Sequence, residues 1–124
     1  MSTPKPFGFH PSEHLRRPVD FRRVYDRRRS ASDGWLLVYG CENDLPHLRI
    51  GFSVSRKVGP AVVRNRLRRL YREAFRLTRH TMPTGLDLVL IPRSAAPTLA
   101  DLKQSLPRLV GQVIRKLGRE GGRS

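Results

Sequence analysis

At about 100° per residue, residues 63–79 sort into two arcs of a helix. Val63, Leu67, Leu70, Tyr71, Ala74 and Thr78 fall on one; Arg64, Arg68, Arg69, Arg72, Arg76 and Arg79 fall on the other, with Asn65 among them. A segment divided in this way must lay one side on a hydrophobic core and leave the other to solvent or to an anion. It therefore requires a folded body around it. The helix is expected to open at "VGPAVV", with Pro60 in the first helical position, and to run to about Arg79, where "HTMPTG" stops it.

The arginine arc is out of balance. A solvated helical face mixes both signs to gain pairs at i,i+4, whereas Glu73 is the one acid between residues 63 and 79, so the arginines are expected to lack intrahelical partners. The same excess runs through the chain, where 25 Lys+Arg against 10 Asp+Glu give a formal charge of +15. Self-repulsion of this size disfavours a compact free protein, and nucleic acid relieves it by exchanging condensed counterions for protein charge. Lysine stands only at positions 5, 57, 103 and 116; the other basic residues are arginines. The planar guanidinium grips phosphate oxygens in a fork and stacks on bases. A GC-rich genome would also favour arginine over lysine, but it would not create the net charge. The face reads as a phosphate-binding surface, with a solvated charge run as the alternative. Asn65 both donates and accepts, which suits a base edge or a 2′-hydroxyl.

The 124 residues fit one domain. Residues 1–14, rich in Pro, Ser, Gly and Thr, are expected to form a flexible arm, 15–117 the domain, and 118–124 a disordered tail. In "PVDFRRVYDRRR", Phe21, Val24, Tyr25 and Arg28 stand at helical spacing after Pro18 and suggest a short first helix. "WLLVYGC" and "LRIGFSVS" read as strands joined by the turn "ENDLPH", and an antiparallel hairpin is expected. In the second run Leu48, Ile50, Phe52 and Val54 alternate with Arg49, Gly51, Ser53 and Ser55. One face is thus apolar, and the other is narrow enough for something to approach the backbone. "LDLVLIP", residues 86–92, reads as a strand covered on both faces. In "TLADLKQSLPRLVGQVIRKLG", Leu99, Leu102, Leu106, Leu109, Val113 and Leu117 share a face, opened by a Thr98/Asp101 capping box. Pro107 either kinks this helix or marks a second one capped by Ser105. The order is αβββαβα with an extra short strand in residues 30–41, and αββαβα otherwise. Either describes an α+β fold, an α/β sandwich with helices on a small sheet.

Other signals narrow the chemistry. "SVSRKVG" brings Ser53, Ser55, Arg56 and Lys57 to the turn entering the long helix, where free N–H groups and the helix dipole favour an anion; serines at a strand end also occur without function. Cys41 is the sole cysteine, so no intramolecular disulfide forms; a small buried residue in a reducing compartment is the natural reading. No apolar run approaches the roughly 18 residues of a membrane span, and the N-terminus lacks a signal-peptide core, so a soluble cytoplasmic protein is expected. "HPSEH", His10 to His14, matches the H-x-x-E-H zinc-protease pattern with Glu73 as a third ligand on paper. It is discounted, because that motif needs a firm helix and here a proline follows the first histidine. His47 and His80 stand alone and read as surface residues. An independent nuclease needs acids clustered around Mg²⁺. The acids at 13, 20, 26, 33, 42, 44, 73, 87, 101 and 120 are scattered, so neither a metal site nor a catalytic residue is assigned to the protein.

The stretch "GFSVSRKVGPAVVRNRLRRLYREAF" resembles the protein subunits of bacterial ribonuclease P. Their signature is an "RNR" tripeptide on a helix that follows a strand ending in "SVS" and a basic pair. The similarity extends upstream through "DFRRVY" and "LLVY" and downstream through "LDLVLIPR" and the last helix, over about residues 15–117. Pro107 and the proline-rich arm depart from it. The resemblance implies a protein that binds a catalytic RNA and assists endonucleolytic removal of the 5′ leader from precursor tRNA. The RNA would carry the chemistry and hold most of the Mg²⁺ of the holoenzyme, and no DNA or membrane partner is expected. It implies a sheet of about four strands with three helices, ribosomal-protein S5 domain 2-like, including a left-handed β-α-β crossover that periodicity does not yield, since most such connections are right-handed. It points to Arg64, Asn65, Arg66, Arg68, Arg69 and Arg72 as the RNA-subunit face. It also points to Phe21, Tyr25 and Tyr39, with Ser53, Ser55, Arg56 and Lys57, as the site of the single-stranded leader. Aromatic rings suit many leader sequences because every base offers a π face; for the three rings, core packing is the alternative. An independent nuclease and a small basic ribosomal or other RNA-binding structural protein are the rival readings, and the RNR helix together with the aromatics favours ribonuclease P.

Overall fold

The computed structural model describes residues 13–121. In chain order it comprises α1 (Pro18–Asp26), β1 (Ser30–Ser32), β2 (Leu36–Glu42), β3 (Arg49–Phe52), α2 (Ala61–Thr78), β4 (Leu86–Pro92) and α3 (Leu99–Gly121). This is the αβββαβα order of an α+β fold. Short 3₁₀ turns, Arg56–Val58 and Arg79–Thr81, bracket α2. No helix among the described residues is long and apolar enough to cross a membrane.

The sheet runs β1-β2-β4-β3, with β2 antiparallel to both neighbours and β3 parallel to β4. The hairpin expected between β2 and β3 does not form, because β4 lies between them. β4 is the most continuously apolar strand, buried at six of its seven positions. The centre of the sheet gives it a hydrogen-bonded neighbour on both edges and cover on both faces. The "ENDLPH" turn still exists: the Asn43 side-chain oxygen accepts from the Leu45 N–H at 2.8 Å, and Asp44 has φ 57°. It spans an inserted strand instead of closing a two-strand ladder, and α2 carries the chain from β3 to the parallel β4.

The sheet has a face for each helix layer. On one, Leu36, Val38, Ile50, Leu88 and Leu90 meet Tyr71, Ala74 and Phe75 of α2 and the apolar stripe of α3. On the other, Leu15, Val24, Cys41 and Val89 are buried, with Phe21, Tyr25, Tyr39 and Ile91 packed around them. Leu15 joins the sheet by donating its N–H to the Ile50 carbonyl at 2.9 Å.

Helix ends and faces shift in small ways from expectation. Pro60 is the N-cap of α2, with ψ 170°, and not its first helical residue. Phe75, outside the apolar arc read from the sequence, is fully buried, because α2 packs against α3 as well as the sheet. Thr98 and Asp101 form the capping box in both directions, at 2.9 and 3.1 Å. α3 is a single helix with Pro107 inside it, and Ser105, buried and bonded to Asp33, caps no second helix. The lost backbone bond is offset by burial of Leu102, Leu106, Leu109, Val110, Val113 and Leu117. α3 continues to Gly121, past the expected boundary at 117. Most of the expected N-terminal arm and residues 122–124 lie outside the described residues.

Candidate nucleic-acid interface

The outward face of α2 keeps most of its charge unspent. Asn65, Arg66, Arg69 and Arg72 are exposed, and Arg64 and Arg68 are half-buried. Their partners are neutral: Arg64 donates to the Gly59 carbonyl at 3.2 Å, Arg66 to the Ala95 carbonyl at 3.0 Å, and Arg68 to the Asn65 side-chain oxygen at 3.1 Å. The Arg72 guanidinium sits 5.9 Å from the Phe52 ring centroid. These bonds fix the stems without neutralising the heads. At the C-terminal end the expectation of unpaired arginines fails. Arg76 grips Glu73 at 3.0 and 2.6 Å, and Arg79 pairs with Glu13, an acid brought in by the segment ahead of α1.

At the entry to α2, the Ser55 hydroxyl oxygen accepts from the Lys57 N–H at 2.9 Å and so caps the short 3₁₀ turn. Ser53, Ser55 and Lys57 line a pocket of about 380 Å³ with Val58, Ile91, Pro92, Arg93, Ser94 and Ala95. Arg56 is exposed beside it and does not line it.

On the α1 side of the sheet, the room left by Gly51 is taken by a side chain of the protein itself. A Cβ at residue 51 would lie 2.6 Å from the Phe21 ring, so Phe21 is first of all the contact that seats α1 on β3. Tyr25 and Tyr39 meet edge to face at 5.1 Å, both half-buried. The register pairs Tyr39 with Val89 and Leu37 with Ile91. α1 covers the first pair and leaves the second half-exposed, and Ile91 leads directly into the Ser53–Lys57 pocket. The aromatic cleft and the pocket are thereby one continuous strip. Arg93 is exposed at its rim and donates to the Ser32 hydroxyl at 3.3 Å. Sequence reasoning missed Ile91 and Arg93. The signal was the alternation in "LDLVLIPR", which sets Asp87, Val89, Ile91 and Arg93 on one face.

A buried charge cluster holds α1 in place. Asp87 is fully buried and accepts two bonds from Arg49 at 2.8 and 2.7 Å, another from Arg23 of α1, and one from Asn43 at 2.9 Å. Arg49 also lies 3.8 Å from Asp20, which Arg17 holds at 3.2 Å. Arg27 grips Glu42 at 3.1 and 3.2 Å. That hydrogen bond holds the Glu42 carboxyl below its ordinary range, and the bond to Asp87 raises Arg49. Burial pushes the Cys41 thiol up, against the nearby Arg23. Burial, with Arg16 and Arg72 close by, lowers His14.

The described residues of the zinc-protease pattern have other partners. Glu13 is held by Arg79, Glu73 by Arg76, and His14 bridges to Ile50 beside the sheet edge; His10 lies outside the described residues. Among the described residues no group of three His, Cys, Asp or Glu could hold a metal ion.

Comparison with known proteins converges on one family. The family profile described as Ribonuclease P matches residues 9–114. The chain is 39% identical over 105 residues to the ribonuclease P protein component of Clostridioides difficile, covering 82% of this chain and 92% of that one. It is 41% identical over 103 residues to that of Methylococcus capsulatus, covering 80% of each. Among solved structures, the RNase P protein of Thermotoga maritima superposes with a TM-score of 0.72 at 30% identity, over 80% of this chain and 96% of that one. The Staphylococcus aureus RNase P protein gives 0.71 at 30% identity, over 80% and 93%. With the sheet order, the RNR helix and the aromatic cleft in place, the chain belongs to the ribonuclease P protein family.

Proposed function

We propose that this chain is the protein component of a cytoplasmic ribonuclease P holoenzyme and that it contacts two RNAs through two surfaces. The α2 face, with Arg64, Asn65, Arg66, Arg68, Arg69 and Arg72, binds the catalytic RNA subunit. The strip from Phe21, Tyr25 and Tyr39 through Ile91 to Ser53, Ser55, Lys57 and Arg93, with Arg56 beside it, binds the 5′ leader of precursor tRNA. The observation that carries this reading is the arginine face from Arg64 to Arg72, which among the described residues bonds to carbonyls, an amide and a ring and to no carboxylate, leaving its charge available to phosphate.

The chain's own contribution is binding and orientation. Cations on two sides of one small body screen the repulsion between catalytic RNA and substrate. Half-buried tyrosines offer ring surface to leader bases whatever their sequence, and Lys57 and Arg93 suit the connecting phosphates. Magnesium, expected for the holoenzyme, would promote hydrolysis at the scissile phosphate. Among the described residues no group of three His, Cys, Asp or Glu could hold it, and Glu13, Asp20, Asp33, Glu42, Glu73 and Asp87 each hold an arginine. We assign the ion to RNA.

Reconstitution tests the assignment. Adding the purified protein to its cognate RNA subunit at low Mg²⁺ is expected to stimulate cleavage of precursor tRNA at the mature 5′ end. No stimulation would sink it, and cleavage by the protein alone would move the chemistry onto the protein.

A further inference from the structure

Val62 is 70% exposed, the most exposed large apolar side chain among the described residues. A lone surface valine needs no explanation. This one stands in the first turn of α2, beside exposed Pro60 and Ala61, and is in register with Arg66 and Arg69 at i+4 and i+7. With Val63 these residues line a recess of about 120 Å³. Arg66 is tied to the Ala95 carbonyl, which fixes its stem at the edge of the recess. The result is an apolar floor walled by two guanidinium groups, in a helix turn without an acidic residue.

Phosphate contact alone has no use for that floor. Cations suffice to bind a backbone, and a branched apolar side chain at an exposed helical position is a poorer helix former than alanine. The face of an unstacked base or ribose is apolar and carries phosphates on both sides, which matches a floor between two arginines. RNA offers such nucleotides in its loops and bulges, where sequence-specific recognition concentrates. We infer that the Val62–Val63 recess seats one unpaired nucleoside of the RNA subunit, its face on the valines and its flanking phosphates on Arg66 and Arg69. This rests on the assignment of α2 to the RNA subunit, and it makes that face a reader of RNA shape as well as of charge.

The two layers separate by salt. Binding of the full chain to its cognate RNA subunit is measured from low to high salt for the wild type, Val62→Ala, Val62→Lys and Arg69→Ala. Arg69→Ala is expected to reduce the log–log salt slope by about 0.7–0.9. Val62→Ala is expected to weaken binding about three- to tenfold at every salt concentration without changing the slope, because it removes apolar contact and no charge. Val62→Lys steepens the slope yet binds more weakly than wild type at high salt, whereas a purely electrostatic surface would gain from the added cation. Chemical probing of unpaired bases should show one nucleotide protected by the wild type and not by Val62→Ala. Thermal melting confirms that Val62→Ala remains folded, as an exposed helical site predicts. If Val62→Ala binds and protects as the wild type does while Arg69→Ala is weakened, the nucleoside seat is wrong and the RNA-binding face stands. If Arg69→Ala is also without effect, both fall.

Discussion

Helices α1 and α2 lie on opposite faces of one sheet, both amphipathic and both arginine-bearing, yet their arginines do different work. At α1, Arg17, Arg23 and Arg27 close onto Asp20, Asp87 and Glu42. At α2, the arginines from 64 to 72 close onto carbonyls, an amide and a ring, or onto nothing. The difference lies in where each charged side points. The basic side of α1 reaches down to the end of the sheet, where β2, β3 and β4 supply Glu42, Arg49 and Asp87. The basic side of α2 meets no carboxylate from Arg64 to Arg72 among the described residues, and where Arg72 reaches β3 it finds the Phe52 ring. Charge facing a strand end becomes a clamp; charge that meets no carboxylate stays available to a partner.

The largest expected effect tests the clamp. Asp87→Ala leaves Arg49, whose side chain is only 20% exposed, without its carboxylate. It should cost about 3 kcal/mol of stability, as removal of one partner from a buried pair does. Arg69→Ala on α2 should stay within about 0.5 kcal/mol, as surface changes do. Urea denaturation of the two variants measures both, and equal losses would abolish the contrast between the helices.

Next in size is the functional half. Arg64→Ala combined with Arg68→Ala should weaken assembly with the RNA subunit and flatten its log–log salt slope by about 1.5. Tyr25→Ala should leave that slope alone and remove about 1–3 kcal/mol of the preference for precursor over mature tRNA. Filter binding with all three RNAs distinguishes them, and a shared defect would mean that the two surfaces act as one.

The smallest effect concerns Asp33, which receives Arg108 of α3 at 2.5 Å. Burial alone would raise its carboxyl, but bonds from Ser105, the Trp35 and Leu36 N–H groups and the Arg108 charge together hold it below its ordinary 3.8. The unfolded chain then takes up this proton first as pH falls. The stabilisation is full above 3.8 and is lost as pH drops through that value toward the folded one. Asp33→Asn should therefore flatten the decline of the urea midpoint between about pH 5 and pH 2. An unchanged decline would show that the carboxylate contributes nothing.

Much of this was legible in the sequence where information is local. The arc of α2, the Thr98/Asp101 cap and the apolar run of β4 follow from spacing, because a helix or strand repeats its geometry every few residues. The two-face division of α2 survived, apart from Arg76 and Arg79, which found Glu73 and Glu13. Pairings between distant segments were not legible. The strands most strongly suggested as a hairpin are separated by β4, whose sequence lies beyond α2. The approach that Gly51 invites is made by Phe21, and the strip reaching Ile91 and Arg93 exists only once β3 and β4 are parallel.

By itself the sequence determined the excess of arginine, the helix that segregates it, and the family to which the RNR stretch points, since each is a property of contiguous residues. Only the tertiary structure decided which arginines are spent. Acids at 20, 42 and 87 look scattered along the chain; folding gathers them at one end of the sheet, where α1 meets it, and leaves the arginines from 64 to 72 without a carboxylate among the described residues. Ion pairing depends on distance in space, and the order of β-strands, which sets that distance, is written in no single stretch of the chain.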